Sequence, residues 1–245
     1  MSDLPYSTIN VIGDDAFDFL QAQLAADLSR FGGNTQLSRR HPDQQDRVGS
    51  TEPILSAWCN PKGRVICLFR VTGIEGGLSL TLPTELADEV VKRLTMFRFR
   101  AKVGFAIEVA TAEQLDMKST YDEWRLDNLC AGIPEILQPQ SEQFTPHMLN
   151  LDLLDAVSVD KGCYPGQEIV SRTHFRGATK RRLHRFESAS PVAPGDKVSA
   201  GERDVGEVLN AIGDDILAIV PIDKAAAGLT VNGVALQHVP LPYLH

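Results

Sequence analysis

Residues 161–168 read Lys-Gly-Cys-Tyr-Pro-Gly-Gln-Glu and form the densest group of special residues in this chain of 245. Two glycines, a proline, a cysteine, a base and an acid stand together, which ordinary core sequence seldom shows. Pro165 suits the first turn of a helix, because an N–H at that position has no helical partner to lose. The pattern therefore predicts a loop that places Cys163 just ahead of a helix over about 167–175.

The position of Cys163 favours a reactive thiol. Unpaired N–H groups and the helix dipole favour an anion at a helix start. Lys161 adds a positive neighbour, so both effects favour the thiolate of Cys163. The alternative is a buried cysteine that fills space beside the glycines. His174 or His184 is a candidate base for this thiol, as in a cysteine hydrolase, although a surface histidine is the simpler interpretation.

The other three cysteines favour a structural interpretation. Cys59 and Cys67 lie in predicted strands, and Cys130 ends a predicted helix. The cysteines form no CxxC pair, which argues against a zinc ribbon or a thioredoxin-like redox pair. We therefore predict four thiols in a reducing compartment and no metal-ligand set.

Composition indicates an ordinary globular protein. The chain is 43% hydrophobic and 23% charged, and its net charge of -8 disfavours direct binding of nucleic acid. It has no apolar run of the roughly 18 residues that span a membrane, and no signal-like start. We therefore expect a cytoplasmic protein without a membrane partner. Two basic clusters stand out against the acidic background: Arg98, Arg100 and Lys102, and Arg172, Arg176, Lys180, Arg181, Arg182 and Arg185.

Upstream of the motif, apolar periodicity and turn residues predict an α+β pattern. A polar stretch over about 29–52 indicates a mobile surface insertion. The sequence Asn60-Pro61-Lys62-Gly63 predicts a hairpin turn. The predicted elements are strand 7–12, a helix from Asp14 or Asp15 to about Leu28, strands 54–59, 64–72 and 78–82, helix 84–97, strand 103–110 and helix 122–130.

Downstream of the motif, the chain reads as short strands separated by Gly- and Asp-containing turns. The predicted strands are 181–187, 197–200, 205–210, 216–220 and 229–239. This spacing is typical of a small β-barrel. We therefore predict two domains, a larger body over 1–178 and a barrel over 179–245.

The motif resembles the signature of YgfZ proteins, which are relatives of the glycine-cleavage aminomethyltransferase. The resemblance includes Arg172 and the Phe175-Arg176-Gly177 sequence, and it covers nearly the whole chain. Further matching segments are 13–28, 58–65, 131–134 and 144–152.

The resemblance implies an aminomethyltransferase-like, folate-binding α+β body with a small C-terminal β-barrel. Tetrahydrofolate is the implied cofactor, with a flat pterin and an anionic tail. Its expected contacts are aromatic faces and basic groups. The residues concerned are Trp58, Phe99 and Tyr164 as faces, Arg98 and Arg100 as charges, and Gln167 and Glu168 in the loop. Cys163 and Lys161 form the implied catalytic pair.

The resemblance also leaves enzymatic activity open. The transferase relatives carry a catalytic aspartate on the hairpin, whereas residues 58–64 here contain no carboxylate. Asn60 has no accessible proton-transfer pKa. The leading hypothesis is a folate-dependent factor for iron–sulfur cluster assembly or repair that supports tRNA-modifying enzymes indirectly, with client or assembly proteins as partners.

Three alternatives stand beside this hypothesis. The first is a folate-dependent one-carbon (aminomethyl) transferase. The second is a module that only delivers or buffers folate. The third is a cluster-ligating role for Cys163, which needs ligands from elsewhere because one cysteine cannot hold a cluster alone.

Overall fold

The computed structural model describes residues 4–31, 53–177 and 179–244. Most of the predicted insertion therefore lies outside the described residues; its first three residues, Ser29–Phe31, form one 3-10 turn. The chain divides into two compact units. The first unit comprises residues 1–117, 136–143 and 155–171, and the second comprises 118–135, 144–154 and 172–245.

A five-stranded antiparallel sheet forms the centre of the first unit, with the strand order β2-β3-β4-β1-β5. Helices α1 and α2 bury their apolar faces in the same core as the sheet. The predicted strands, hairpin and second helix are confirmed. The elements are β1 (Tyr6–Ile12), α1 (Ala16–Gln23), β2 (Ile54–Cys59), β3 (Val65–Ile74), β4 (Gly77–Pro83), α2 (Thr84–Phe97) and β5 (Gly104–Val109).

Helix α1 is shorter than the sequence predicted. Leu24 is already extended, and the backbone N–H of Ala25 donates to the carbonyl of Ala57 at 2.8 Å. The carbonyl of Ala25 accepts from the N–H of Ser158. These backbone pairs, rather than helix propensity, determine the path after Gln23. Asp15 occupies the predicted N-cap position, but its side chain accepts from the backbone N–H of Lys102 at 2.7 Å and makes no cap hydrogen bond.

The second unit contains a closed six-stranded barrel with the strand order β10-β11-β6-β9-β8-β7. Helix α3 packs against β8 and β9 and begins with a capping box formed by Thr120 and Glu123. The predicted barrel is confirmed. The elements are α3 (Tyr121–Cys130), β6 (Arg181–Ser188), β7 (Lys197–Ala200), β8 (Arg203–Ile212), β9 (Asp215–Pro221), β10 (Thr230–Val231) and β11 (Val234–Val239).

The last predicted strand is instead a tight hairpin. Asn232 and Gly233 have φ angles of 51° and 80°, and Val231 pairs directly with Val234. Positive φ at both central residues is the requirement of a type I′ turn, which Asn-Gly favours. In the described part of the chain, no helix combines the length and apolar character needed to cross a bilayer.

Candidate functional site

The cysteine loop packs directly on the β2–β3 hairpin turn. Gly166 has φ +81°, and a Cβ there would lie 2.5 Å from the carbonyl oxygen of Asn60 and 2.8 Å from the Cα of Gly63. Gly63 has φ +68°, and a Cβ there would lie 2.9 Å from the Cβ of Ile169. Two glycines therefore let the two segments meet at backbone distance, which explains the glycine at each position. Helix α4 (Gln167–Arg176) begins directly after this contact.

Lys161 anchors the loop to the segment that follows α1. Its ammonium donates to the carbonyls of Leu24 and Ala26 at 2.7 and 2.8 Å, and lies 5.6 Å from the ring centroid of Tyr164. Burial lowers the pKa of Lys161 to about 7, with Asp27 acting in the opposite direction. This side chain is therefore a buried amine whose charge is sensitive to pH near neutrality.

Cys163 is exposed, whereas Cys59 and Cys67 are buried and Cys130 is partly buried. Burial raises the pKa of Cys59 to about 12, and it raises the pKa of Cys67 and of Cys130 as well. The predicted placement of these three cysteines is confirmed, since two lie in β2 and β3 and the third ends α3. Accessibility thus distinguishes Cys163 from the other thiols.

Among the buried polar atoms of the first unit that have no hydrogen-bond partner within the described residues are the indole Nε1 of Trp58 and the hydroxyl of Tyr164. The two side chains are 1% and 6% exposed. Burial raises the pKa of Tyr164, and the thiol of Cys59, next to Trp58 in sequence, raises it further. Buried donors without partners are costly, so they mark positions where a bound group with hydrogen-bonding edges would be stabilised.

The remaining residues predicted to contact the cofactor are mostly exposed, and one of them is hydrogen-bonded within the cysteine loop. Arg98, Phe99 and Arg100 follow α2 and are exposed. The side-chain amide of Gln167 donates to the carbonyl of Lys161 at 3.1 Å, so it closes the cysteine loop. Glu168 is exposed in the first turn of α4.

A carboxylate that the sequence analysis missed lies beside the hairpin. The amide of Asn60 donates to Glu142 at 2.7 Å, and Arg93 pairs with the same carboxylate at 2.5 Å. The side-chain oxygen of Asn60 accepts from the N–H groups of Lys62 and Arg64, which organises the turn.

The electrostatics of this carboxylate keep it ionised. The hydrogen bonds from Asn60 and Arg93 hold the pKa of Glu142 below its usual range. An ionised, paired carboxylate is a poor general acid or base near neutral pH. No local sequence signal identified Glu142, because its partners Asn60 and Arg93 lie 82 and 49 residues away in the chain.

The two histidines considered as bases for Cys163 lie in the second unit. His174 is exposed, as predicted for a surface residue. The same prediction was wrong for His184, which lies in β6, is 8% exposed and has its ring centroid 5.5 Å from that of His238. Burial, with smaller contributions from His238 and Arg182, lowers the pKa of His184 to about 4.

Comparison with solved structures gives the fold class. The fold is similar to the crystal structure of glycine cleavage system aminomethyltransferase T from Bartonella henselae, with a TM-score of 0.68 and 14% identity. The match covers 99% of this chain and 85% of that one. The chain thus has an aminomethyltransferase-like α+β fold with a C-terminal β-barrel, as predicted.

Sequence comparisons identify more specific relatives of the chain. Residues 180–243 match the family described as CAF17, C-terminal beta-barrel domain. The tRNA-modifying protein YgfZ of Cronobacter sakazakii is 28% identical over 97% of this chain and 91% of its own length. The protein of the same name from Vibrio atlanticus is 24% identical over 92% of this chain and 81% of its own. The chain is therefore similar to YgfZ proteins over nearly its whole length, as the signature around Cys163 predicted.

Proposed function

We propose that this protein is a tetrahydrofolate-binding accessory factor for assembly or repair of iron–sulfur clusters. In this role it supports tRNA-modifying iron–sulfur enzymes indirectly, and the names of its YgfZ relatives support that connection. The observation that carries the proposal is the exposed thiol of Cys163, held in the signature loop by the contact between Gly166 and the hairpin. Conditions in the cytoplasm, where we place the protein, keep this thiol reduced.

The first unit offers groups suited to a folate. Trp58 and Tyr164 would hold the pterin, because their buried polar atoms have no hydrogen-bond partner among the described residues and a pterin has hydrogen-bonding edges. Arg98 and Arg100 would bind the anionic tail. When bound, tetrahydrofolate supplies one-carbon chemistry. In this proposal the folate-binding body extends over residues 1–178, and the barrel over 179–245.

Within the loop, we assign positioning roles to Lys161 and Gln167. Lys161 ties the loop to the carbonyls of Leu24 and Ala26, and Gln167 closes the loop on the carbonyl of Lys161. Glu168 remains a candidate contact for the cofactor. Cys163 is the group whose chemistry the loop presents.

Complementation tests the role of the thiol. A strain that lacks its own YgfZ protein would receive wild type, Cys163→Ala or Cys130→Ala, and the activity of an iron–sulfur enzyme that modifies tRNA would be measured. We expect wild type and Cys130→Ala to restore the activity and Cys163→Ala to fail at equal protein level. Full restoration by Cys163→Ala would refute the assigned role, and would favour a module that only delivers folate.

Thiol labelling tests the structural premise separately. In the native protein, a water-soluble disulfide reagent should modify Cys163 much faster than Cys59 or Cys67, which should react only on unfolding. Cys163→Ser should abolish the fast phase. A fast phase that persists in this variant would contradict the accessibility on which the proposal rests.

One-carbon transfer by this protein is not favoured by the site. The hairpin supplies Asn60 where the transferases supply a carboxylate, and Glu142 beside it is paired with Arg93. Purified protein should therefore show no folate-dependent turnover of small amine donors. Sustained turnover would support the transferase alternative.

A further inference from the structure

The second unit contains a polar cavity that the proposed folate function does not use. Its volume is about 340 Å³. The lining combines imidazoles, a carboxylate, hydroxyls and a guanidinium, from His147, Asp152, Thr173, His174, Gly177, Thr179 and Arg182. These residues come from the segment around the 3-10 turn Pro146–Leu149, the end of α4 and the start of β6.

Three of these side chains bring metal-ligand atoms together. His147, Asp152 and His174 each offer one atom, and these atoms lie within 4.8 Å of one another. Two atoms that each lie about 2.0–2.2 Å from one Zn²⁺ are about 3.4 Å apart at the tetrahedral angle. The side chain of His174 is exposed, so it can move closer to the other two and shorten the separations from 4.8 Å towards this value. A change of the His174 rotamer would thus bring the three ligand atoms to the separations that one bound ion requires.

The strongest sign of a missing partner is His147. This side chain is 2% exposed, and neither of its ring nitrogens has a hydrogen-bond partner among the described residues. A buried imidazole normally has at least one partner, since an unmet polar group costs free energy. Its ring centroid lies 6.0 Å from that of His174, across the same cavity.

Asp152 is oriented by a second layer of contacts. Arg182 donates to both carboxylate oxygens, at 2.9 and 2.8 Å, and also to the carbonyl of His147 and the side chain of Asn150. A carboxylate oxygen can accept from Arg182 and still offer a lone pair to a metal. Because Arg182 offsets the charge of Asp152, affinity would depend mainly on the two imidazoles. Imidazole ligands favour Zn²⁺ and Fe²⁺ over Mg²⁺ and Ca²⁺.

We propose that His147, Asp152 and His174 form a binding site for a divalent transition metal of the Zn²⁺ or Fe²⁺ kind. Two histidines and one carboxylate leave further coordination positions open, as in sites that bind an exchangeable ligand. This proposal is independent of folate binding and of Cys163, so either can fail while the other stands.

Metal titration tests the site. Calorimetry with Zn²⁺ as the titrant would be done on the Cys163→Ser variant, which excludes the exposed thiol as a ligand. Excess Mg²⁺ would be present in the buffer throughout. We expect one Zn²⁺ per chain. Adding His174→Gln should weaken binding at least about 10-fold, while adding His238→Gln, which changes an exposed histidine outside the cavity, should leave it unchanged. Because His174 is exposed, its variant should fold even if a change at the buried His147 does not.

The spectrum of bound Co²⁺ provides a second readout. Nitrogen and oxygen ligands should give visible d–d bands without the sulfur charge-transfer band of a thiolate site, and His174→Gln should remove them. Zn²⁺ affinity that is unaffected by His174→Gln would overturn the proposal. So would binding of inorganic phosphate without binding of Zn²⁺, which would make the cavity an anion site.

Discussion

Gly166 of the cysteine loop meets Gly63 of the hairpin turn so closely that a Cβ on Gly166 would lie 2.8 Å from the Cα of Gly63. The position of Cys163 therefore depends on a segment about a hundred residues earlier in the chain. The same turn is organised by Asn60, which the Glu142–Arg93 pair holds from the other side. The signature loop and the hairpin thus form one structural assembly within the first unit.

Gly166→Ala should destabilise the protein. Its φ of +81° disfavours an L side chain, and the added methyl carbon would lie 2.5 Å from the carbonyl oxygen of Asn60. We expect a loss of about 2–3 kcal/mol in the free energy of unfolding, measured by urea denaturation. Gly162→Ala is the matched control, because a Cβ there meets nothing within 4 Å and should change stability by less than about 0.5 kcal/mol. Equal stability of the two variants would contradict the contact.

The stability of the protein should carry a pH dependence from Lys161. Burial lowers its pKa to about 7 from a usual value of 10.5. Between these values the unfolded chain binds the proton more strongly, so the contribution of Lys161 to the free energy of unfolding rises with pH. Below about 7 both states are protonated and the contribution is constant.

Wild type should therefore gain stability relative to Lys161→Met between pH 7 and pH 9.5, in urea unfolding curves at each pH. Lys62→Met removes an exposed lysine from the β2–β3 hairpin turn and controls for loss of a surface charge. A pH-independent difference between wild type and Lys161→Met would show that the carbonyls of Leu24 and Ala26 keep the ammonium charged.

Introducing a carboxylate on the hairpin should destabilise the protein at neutral pH. Asn60→Asp places a negative charge where an amide now donates to Glu142 at 2.7 Å. We expect a loss of about 1–2 kcal/mol at neutral pH, because the carboxylates repel each other and a hydrogen bond is lost. Repulsion raises the pKa of the new group above its unfolded value, so the missing stability should return as pH falls.

The double variant Asn60→Asp with Glu142→Gln removes the repulsion and should recover most of the stability at neutral pH. If Asn60→Asp alone matched wild type in urea denaturation, the pairing of Asn60 with Glu142 would not be part of the native hairpin.

Tyr164→Phe should stabilise the protein without ligand or leave it unchanged, because it removes a buried hydroxyl that lacks a partner among the described residues. Tyr243→Phe is the contrasting control. Its hydroxyl donates to the carbonyl of Gly132 at 2.8 Å, so its loss should cost about 1 kcal/mol. Thermal unfolding of both variants checks this difference. A loss from Tyr164→Phe as large as that from Tyr243→Phe would show that the hydroxyl has an internal partner.

Most of the fold could be predicted from local sequence. Apolar alternation and turn residues identified the sheet, α2, α3 and the barrel strands, because each signal lies within a few neighbouring residues. The exceptions arose where distant backbone groups or turn chemistry decided the path. Helix α1 stops where Ala25 pairs with Ala57, and the strand predicted over 229–239 folds back at Asn232-Gly233.

The sequence predicted which residues form the cysteine loop, but it did not predict which residues they contact. The sequence identified Cys163 and its loop, yet the partners of Lys161 and Asn60 lie far from them in the chain. Glu142 and the His147, Asp152 and His174 group carry no local motif, since only folding brings their side chains together. Spatial pairing of this kind has no signature in a single sequence.

Titration of the purified protein with tetrahydrofolate by calorimetry tests most directly whether this is a folate-binding protein whose Cys163 acts beside the cofactor. We predict one site with similar affinity in wild type and Cys163→Ala, and weaker binding in Tyr164→Phe. Absence of binding by folded wild type would contradict the folate assignment and leave the exposed cysteine loop as the functional feature of the first unit.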